Sequence, residues 1–137
     1  VIVVDANVMV LALASPTDKG DAARAVLTSD DLWFAPAHMP LEVIHTLRKA
    51  VVGGQLAEPD AVAAFGALMA AEVTYAGATD TLLRAVWGMR HNVSAYDAAY
   101  LAVAAERGAQ LVTFDARLAK AAEAAEQVVP NVPVLMP

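Results

Sequence analysis

The chain has 137 residues, 58% of them hydrophobic and 18% charged, with a formal net charge of −6 and no cysteine. That length and apolar content suit one domain spanning 1–137 with a sizeable core, and they exclude a disordered chain. The lack of cysteine excludes thiol catalysis, thiolate zinc and disulfide staples, while the acidic balance argues against nucleic-acid binding through overall charge.

In chain order, short β-rich apolar runs alternate with helical patterns, the signature of an α/β domain with a mostly parallel sheet. Residues 1–4 read as a buried strand and 6–13 as a helix, which the loop Ser15-Pro16-Thr17-Asp18-Lys19-Gly20 interrupts. A helix at about 20–29 follows, with Ala22, Ala25, Val26 and Leu27 on its apolar side, then a short strand at 32–34 closed by Pro36. The next helix covers about 38–52 and stops at Gly53-Gly54; Pro40 is compatible with it because the first turn needs no amide donor. Residues 59–71 form another helix and 73–75 a short strand. Helices are expected at 79–91, 94–107 and 116–125, with a strand at 111–114 between the last two. Prolines flank a closing strand at 132–135 and confine it to a sheet edge. No apolar stretch reaches the roughly 18 residues needed to cross a bilayer. No secretory leader precedes the first apolar run, so a reducing cytoplasm and no membrane are expected.

Four acids sit in surroundings that should repel them. Asp5 ends the apolar run 1–4, and Asp115 directly follows Leu111-Val112-Thr113-Phe114. Glu42 lies among Met39, Leu41, Val43 and Ile44, and Asp97 precedes a long alanine-rich stretch. Each has an ordinary explanation. Asp5 and Asp115 can cap the helices that follow them. Ser94 and Asp97 have capping-box spacing, and Glu42 in a first turn favours the helix dipole. As a group they need more. Ligands of open parallel sheets bind beyond the carboxyl ends of strands, where Asp5 and Asp115 both fall. Two carboxylates 4 Å apart repel by about 4 kcal/mol at an effective dielectric of 20, so a convergent cluster needs a cation. All-oxygen donors point to magnesium or manganese rather than zinc.

The motifs around these acids resemble those of PIN-domain ribonucleases, and most closely the VapC toxins of bacterial toxin–antitoxin pairs. The resemblance rests on Asp5-Ala6-Asn7-Val8, on Pro36 with Glu42-Val43, and on Ser94-Ala95-Tyr96-Asp97-Ala98-Ala99-Tyr100-Leu101-Ala102. The segment from Gly108 to Leu118, with Thr113-Phe114-Asp115-Ala116-Arg117 inside it, completes the set. It implies a PIN-like three-layer α/β/α domain whose central, mostly parallel sheet has four to five strands. It implies a magnesium-dependent endoribonuclease, with manganese as a substitute. Asp5 and Asp97 would be direct metal ligands, and Glu42 and Asp115 would act through water or complete a second metal site. Asn7 and Thr113 match small polar positions that orient carboxylates or waters. The implied chemistry is in-line attack on an RNA phosphodiester by metal-activated water, leaving a 5′-phosphate and a 3′-hydroxyl. The implied partners are RNA, a cognate VapB-type antitoxin and a second copy in a homodimer.

Two positions depart from the family pattern. His45 stands where a small polar residue is common, and Pro40 is uncommon and bears on the pose of Glu42. Among the remaining residues, His38 and His91 lack metal-ligand spacing and read as surface or packing residues. Trp33 and Trp87 read as core, with dimer contact and base stacking as alternatives for Trp87. Arg48, Lys49, Arg84, Arg90 and Arg117 are either a local basic patch or ordinary solvated cations. The apolar faces of 8–14 and 41–52 either fill the core or form a groove for the antitoxin. A haloacid-dehalogenase-type phosphatase is faintly suggested by Val3-Val4-Asp5-Ala6-Asn7-Val8, but that motif needs a second Asp where Asn7 stands. A non-catalytic PIN-type binding module is the alternative of a different class, although such modules usually lose one or more acids and all four are present.

Overall fold

The computed structural model describes residues 1–129 and 132–137. Its elements in chain order are β1 (Ile2–Val4), α1 (Ala6–Ala14), α2 (Asp18–Thr28), β2 (Trp33–Pro36), α3 (Met39–Val52) and α4 (Glu58–Ala70). They continue as β3 (Val73–Ala76), α5 (Asp80–Gly88), α6 (Ala95–Arg107), β4 (Gln110–Val112), α7 (Ala116–Ala124) and β5 (Val134–Leu135). The sheet has five strands in the order β3-β2-β1-β4-β5, and every pairing is parallel.

That order decides the layers. From β1 to β3 the chain steps one way across the sheet, and from β3 to β5 it steps back past β1. Right-handed crossovers therefore put α1–α4 on one face and α5–α7 on the other. Contacts agree: α1 packs on α2, α3 and α4, whereas α6 packs on α5, β1, β2 and β4. The result is the expected three-layer α/β/α domain.

The core is built around β1, β4 and α6. Val3, Val4, Leu111 and Val112 are fully buried, as is the unbroken stretch Ala98–Ala104 apart from traces of exposure. A helix buried all round reads as apolar on every side, and here alanine supplies most of that surface. Gly108, with φ of 59°, ends α6 in the left-handed region and turns the chain directly into β4.

Several boundaries differ from the sequence-based expectation. Gly20 was expected to close a loop, yet it lies inside α2; a side chain there would run into the Ser15 carbonyl oxygen, so its role is close approach. The helix expected over 79–91 stops at Gly88, and 89–93 form turns. The strand expected over 111–114 ends at Val112, although the Thr113 amide still donates to the Leu135 carbonyl at 3.1 Å. The closing strand is short and lies at the sheet edge, as its prolines require; Pro130 lies outside the described residues. Trp33 is half-buried against the core, with its indole N–H donating to the Leu27 and Asp30 carbonyls at 3.0 and 2.7 Å. Trp87 is a correction: it is 67% exposed, with Arg90 stacked on its ring at 4.6 Å, and is no part of the core. Among the described residues, no helix is long and apolar enough to cross a membrane.

Candidate metal and nuclease site

Parallel pairing sets the position of the first acid. The Asp5 amide donates to the Val112 carbonyl at 3.1 Å, so Asp5 stands at the carboxyl end of β1 directly beside the end of β4. The strand order reverses its direction of growth between these two strands, which opens a crevice at their carboxyl ends. Asp5 is 7% exposed and makes no side-chain cap to α1, so the capping explanation for it does not hold. Its Oδ2 accepts instead from the Thr113 hydroxyl at 2.7 Å, across 108 residues of sequence. The Thr113 oxygen in turn accepts the Asp115 amide at 2.9 Å. Thr113 therefore ties the first acid to the loop that carries the last. Asn7 supports the same loop, its side-chain oxygen accepting from the Phe114 amide at 3.4 Å.

Asp115 does cap α7, accepting from the Arg117 and Leu118 amides at 2.9 and 3.4 Å. The capping box at the start of α6 is half formed. The Ser94 hydroxyl accepts the Asp97 amide at 3.3 Å, but the Asp97 carboxylate turns to the Arg117 guanidinium at 2.9 Å. The same guanidinium reaches Asp115 Oδ2 at 3.1 Å, so one cation bridges two acids from different helices.

Glu42 arrives from α3, where Pro40 is accommodated in the first turn. The Tyr100 hydroxyl, from α6, donates to Glu42 Oε1 at 2.8 Å. His38 Nε2 lies 3.2 Å from the same oxygen without the alignment of a hydrogen bond. The His38 ring meets Tyr96 and Tyr100 edge-on, with centroids 5.4 and 5.5 Å away. A cleft of about 550 Å³ opens beside this group, lined by His38, Leu41, Glu42, His45, Thr46 and Tyr96.

The electrostatics follow from burial and crowding. Burial raises the Asp5 carboxyl to about 6; the Thr113 hydrogen bond opposes this, and the charges of Glu42 and Asp97 add to it. Burial also acts to raise Glu42, but His38 and the Tyr100 hydroxyl outweigh it and leave the carboxyl below its ordinary range. Tyr100 is pushed far up by burial and by Glu42 and Asp5, so it stays a donor. Contact with Asp97, then with Asp115, raises the Arg117 guanidinium.

Among the described residues, no three histidine or carboxylate side chains form a ready-made metal cage. The physical reason is visible: Asp97 and Asp115 are turned onto Arg117, and Asp5 onto Thr113. The donor chemistry nonetheless suits a hard divalent cation, since Asp5, Glu42, Asp97 and Asp115 are all oxygen donors. A guanidinium already stands between two of them, and the buried Asp5 has no cation of its own among the described contacts. These residues therefore fit a divalent cation in chemistry and in charge.

Sequence reasoning missed three contributors. Tyr100 was visible only as a motif letter, His38 as a packing residue and Arg117 as one of several surface cations. Tyr100 reaches Glu42 and Arg117 reaches Asp97 across elements, and no local spacing signals such contacts. The His38–Glu42 spacing, one helical turn, was the single available hint.

The PIN domain family model matches residues 2–124. Ribonuclease VapC1 of Mycobacterium tuberculosis is 37% identical over 119 residues, which cover 87% of this chain and 89% of that protein. The solved structure of M. tuberculosis VapC20, a sarcin–ricin loop cleaving toxin, superposes with a TM-score of 0.68 at 22% identity, covering 88% and 95% of the two chains. The VapBC2 complex of Rickettsia felis, bound to a promoter DNA fragment, gives a TM-score of 0.64 at 11% identity, covering 98% and 97%.

Proposed function

The chain belongs to the PIN-domain family, and we propose on that premise that it is a VapC-type toxin: a magnesium-dependent endoribonuclease restrained by a cognate antitoxin. Membership sets the phosphatase reading aside. The observation that carries the proposal is the convergence on buried Asp5, whose carboxyl feels both Glu42 and Asp97 at the switch point of the sheet. Identity of 37% to a ribonuclease over most of both chains supports the same reading.

An acidic crevice repels an RNA phosphate unless positive charge is brought in. Asp5 and Asp97 would hold a magnesium or manganese ion, with Glu42 and Asp115 acting through water or at a second ion. When bound, such an ion supplies charge neutralisation at the phosphate and a more acidic water. The chain's own residues set the geometry. Thr113 holds Asp5 at the strand end, Tyr100 holds Glu42 over the cleft, and Ser94 fixes the first turn that carries Asp97. The cleft beside Glu42 offers His45, Thr46 and Tyr96 to the RNA flanking the scissile bond. Cleavage leaves a 5′-phosphate and a 3′-hydroxyl.

The antitoxin proposal has support of its own. Leu41, Val52, Val62 and Phe65 are exposed on α3 and α4, and the two helices enclose an apolar groove of about 300 Å³. An amphipathic partner segment would cover such a surface. A homodimer belongs to the same proposal and is checked by the solution mass of the purified chain.

The decisive experiment incubates purified chain with structured RNAs, transfer RNAs first, in magnesium, in manganese and in EDTA. Cleavage with either metal and none in EDTA is expected. Full activity of Asp97→Asn with the fold intact would sink the assignment. Co-expression with the product of a small neighbouring gene tests the toxin role: harmless expression of the chain alone, with no co-purifying partner, removes the toxin label but leaves the nuclease.

A further inference from the structure

Arg117 is oddly placed. It stands in the first turn of α7, where a cation works against the helix dipole, and its side chain is 69% exposed. Yet its two terminal nitrogens span Asp97 and Asp115, at 2.9 and 3.1 Å. These carboxylates are much less exposed, at 17% and 29%. Asp115 Oδ1 is engaged by the Arg117 and Leu118 amides and Oδ2 by the guanidinium, so both of its oxygens have donors. Asp97 has one oxygen committed in the same way.

We propose that Arg117 is the site's own counter-cation, which neutralises Asp97 and Asp115 in the metal-free chain and competes with a divalent cation for them. The inference rests on the metal site proposed above and deepens it. A guanidinium and a divalent cation on the same two carboxylates repel each other and draw on the same lone pairs, so each weakens the other's hold by mutual linkage. The exposed arm can swing into solvent without opening the core, while its backbone amide stays on Asp115. Arg117 thus acts as a removable plug: it limits repulsion among the acids when metal is scarce and lowers their affinity for metal by the same interaction.

The test is calorimetric titration of manganese chloride into the whole chain without RNA, paired with melting temperatures in EDTA. Arg117→Gln should bind manganese roughly three- to tenfold more tightly than wild type, the scale of one or two exposed ion pairs. It should also melt lower than wild type in EDTA and regain that difference at saturating manganese. Arg117→Lys, a single point charge in place of a fork, should fall between them. Lys120→Gln removes the same charge further along α7 and should leave the affinity unchanged. Clear manganese binding of equal strength in wild type and Arg117→Gln overturns the competition and leaves the metal site standing. A like gain for Lys120→Gln also overturns it, because a general field would then be the cause. No manganese binding by any variant removes the metal site, and the competition with it.

Discussion

Asp5 and Asp115 both follow a strand and precede a helix, but their environments are opposite. Asp115 caps its helix, is partly exposed and is paired with Arg117. Asp5 makes no side-chain cap, is buried, and is held by neutral donors, chiefly the Thr113 hydroxyl. One acid is stabilised by its surroundings and the other is penalised by them. The comparison teaches where the fold gives up stability: at Asp5, whose raised carboxyl is the cost of burying an anion, a cost that a cation would offset under the proposed function.

Substitution at Asp5 should break this contrast most strongly. Asp5→Asn keeps an oxygen for Thr113 but loses the charge, and RNA cleavage should fall by about a thousandfold or more. The same variant should be more stable than wild type in EDTA at pH 7.5, by about 3 kcal/mol, the equivalent of the raised carboxyl. Chemical denaturation beside an activity assay reads both; a destabilised Asp5→Asn contradicts the account.

Titration sharpens the same point without mutation. Asp5 has a folded pKa of about 6 against 3.8 unfolded, so between these values the native state binds more protons. Its contribution to the stability of the metal-free chain is therefore full below about pH 4 and lost as pH rises through 6, by about 3 kcal/mol. Denaturant midpoints in EDTA between pH 4 and 7.5, compared for wild type and Asp5→Asn, isolate that change; parallel curves would show that Asp5 is not its source.

Smaller effects are expected at the supporting residues. Tyr100→Phe removes the donor to Glu42, and a loss of about 1 kcal/mol is expected because that carboxylate is partly exposed. Cleavage should drop roughly tenfold, as Glu42 loses its fixed pose. Thr79→Ala removes the side-chain cap of α5, away from the acids, and should cost about 1 kcal/mol with cleavage unchanged. Equal effects of these two variants on cleavage would deny Tyr100 any special role.

Most of the frame was legible because it is local. Alternating apolar runs and helical patterns located the twelve elements of the described residues to within a few positions, and the place of Asp5 after its strand followed from the run before it. Legibility failed where close approach decided the outcome. Gly20 read as a breaker until the Ser15 carbonyl showed why a helix needs glycine there. Trp87 read as core because large aromatics usually are, yet its helix turns it to solvent.

The four acids themselves, Asp5, Glu42, Asp97 and Asp115, could be chosen from the sequence, because acids beside core-type segments are costly and uncommon. Their individual roles could not. Whether Asp5 caps or is held by Thr113, whether Glu42 is free or fixed by Tyr100, and whether Arg117 is solvated or bridges two acids all depend on side chains meeting across elements. Sequence pattern encodes which surfaces must be buried, and so determined the fold class and the candidates. Only the tertiary structure decided their pairings, because a charge is governed by its neighbours in space.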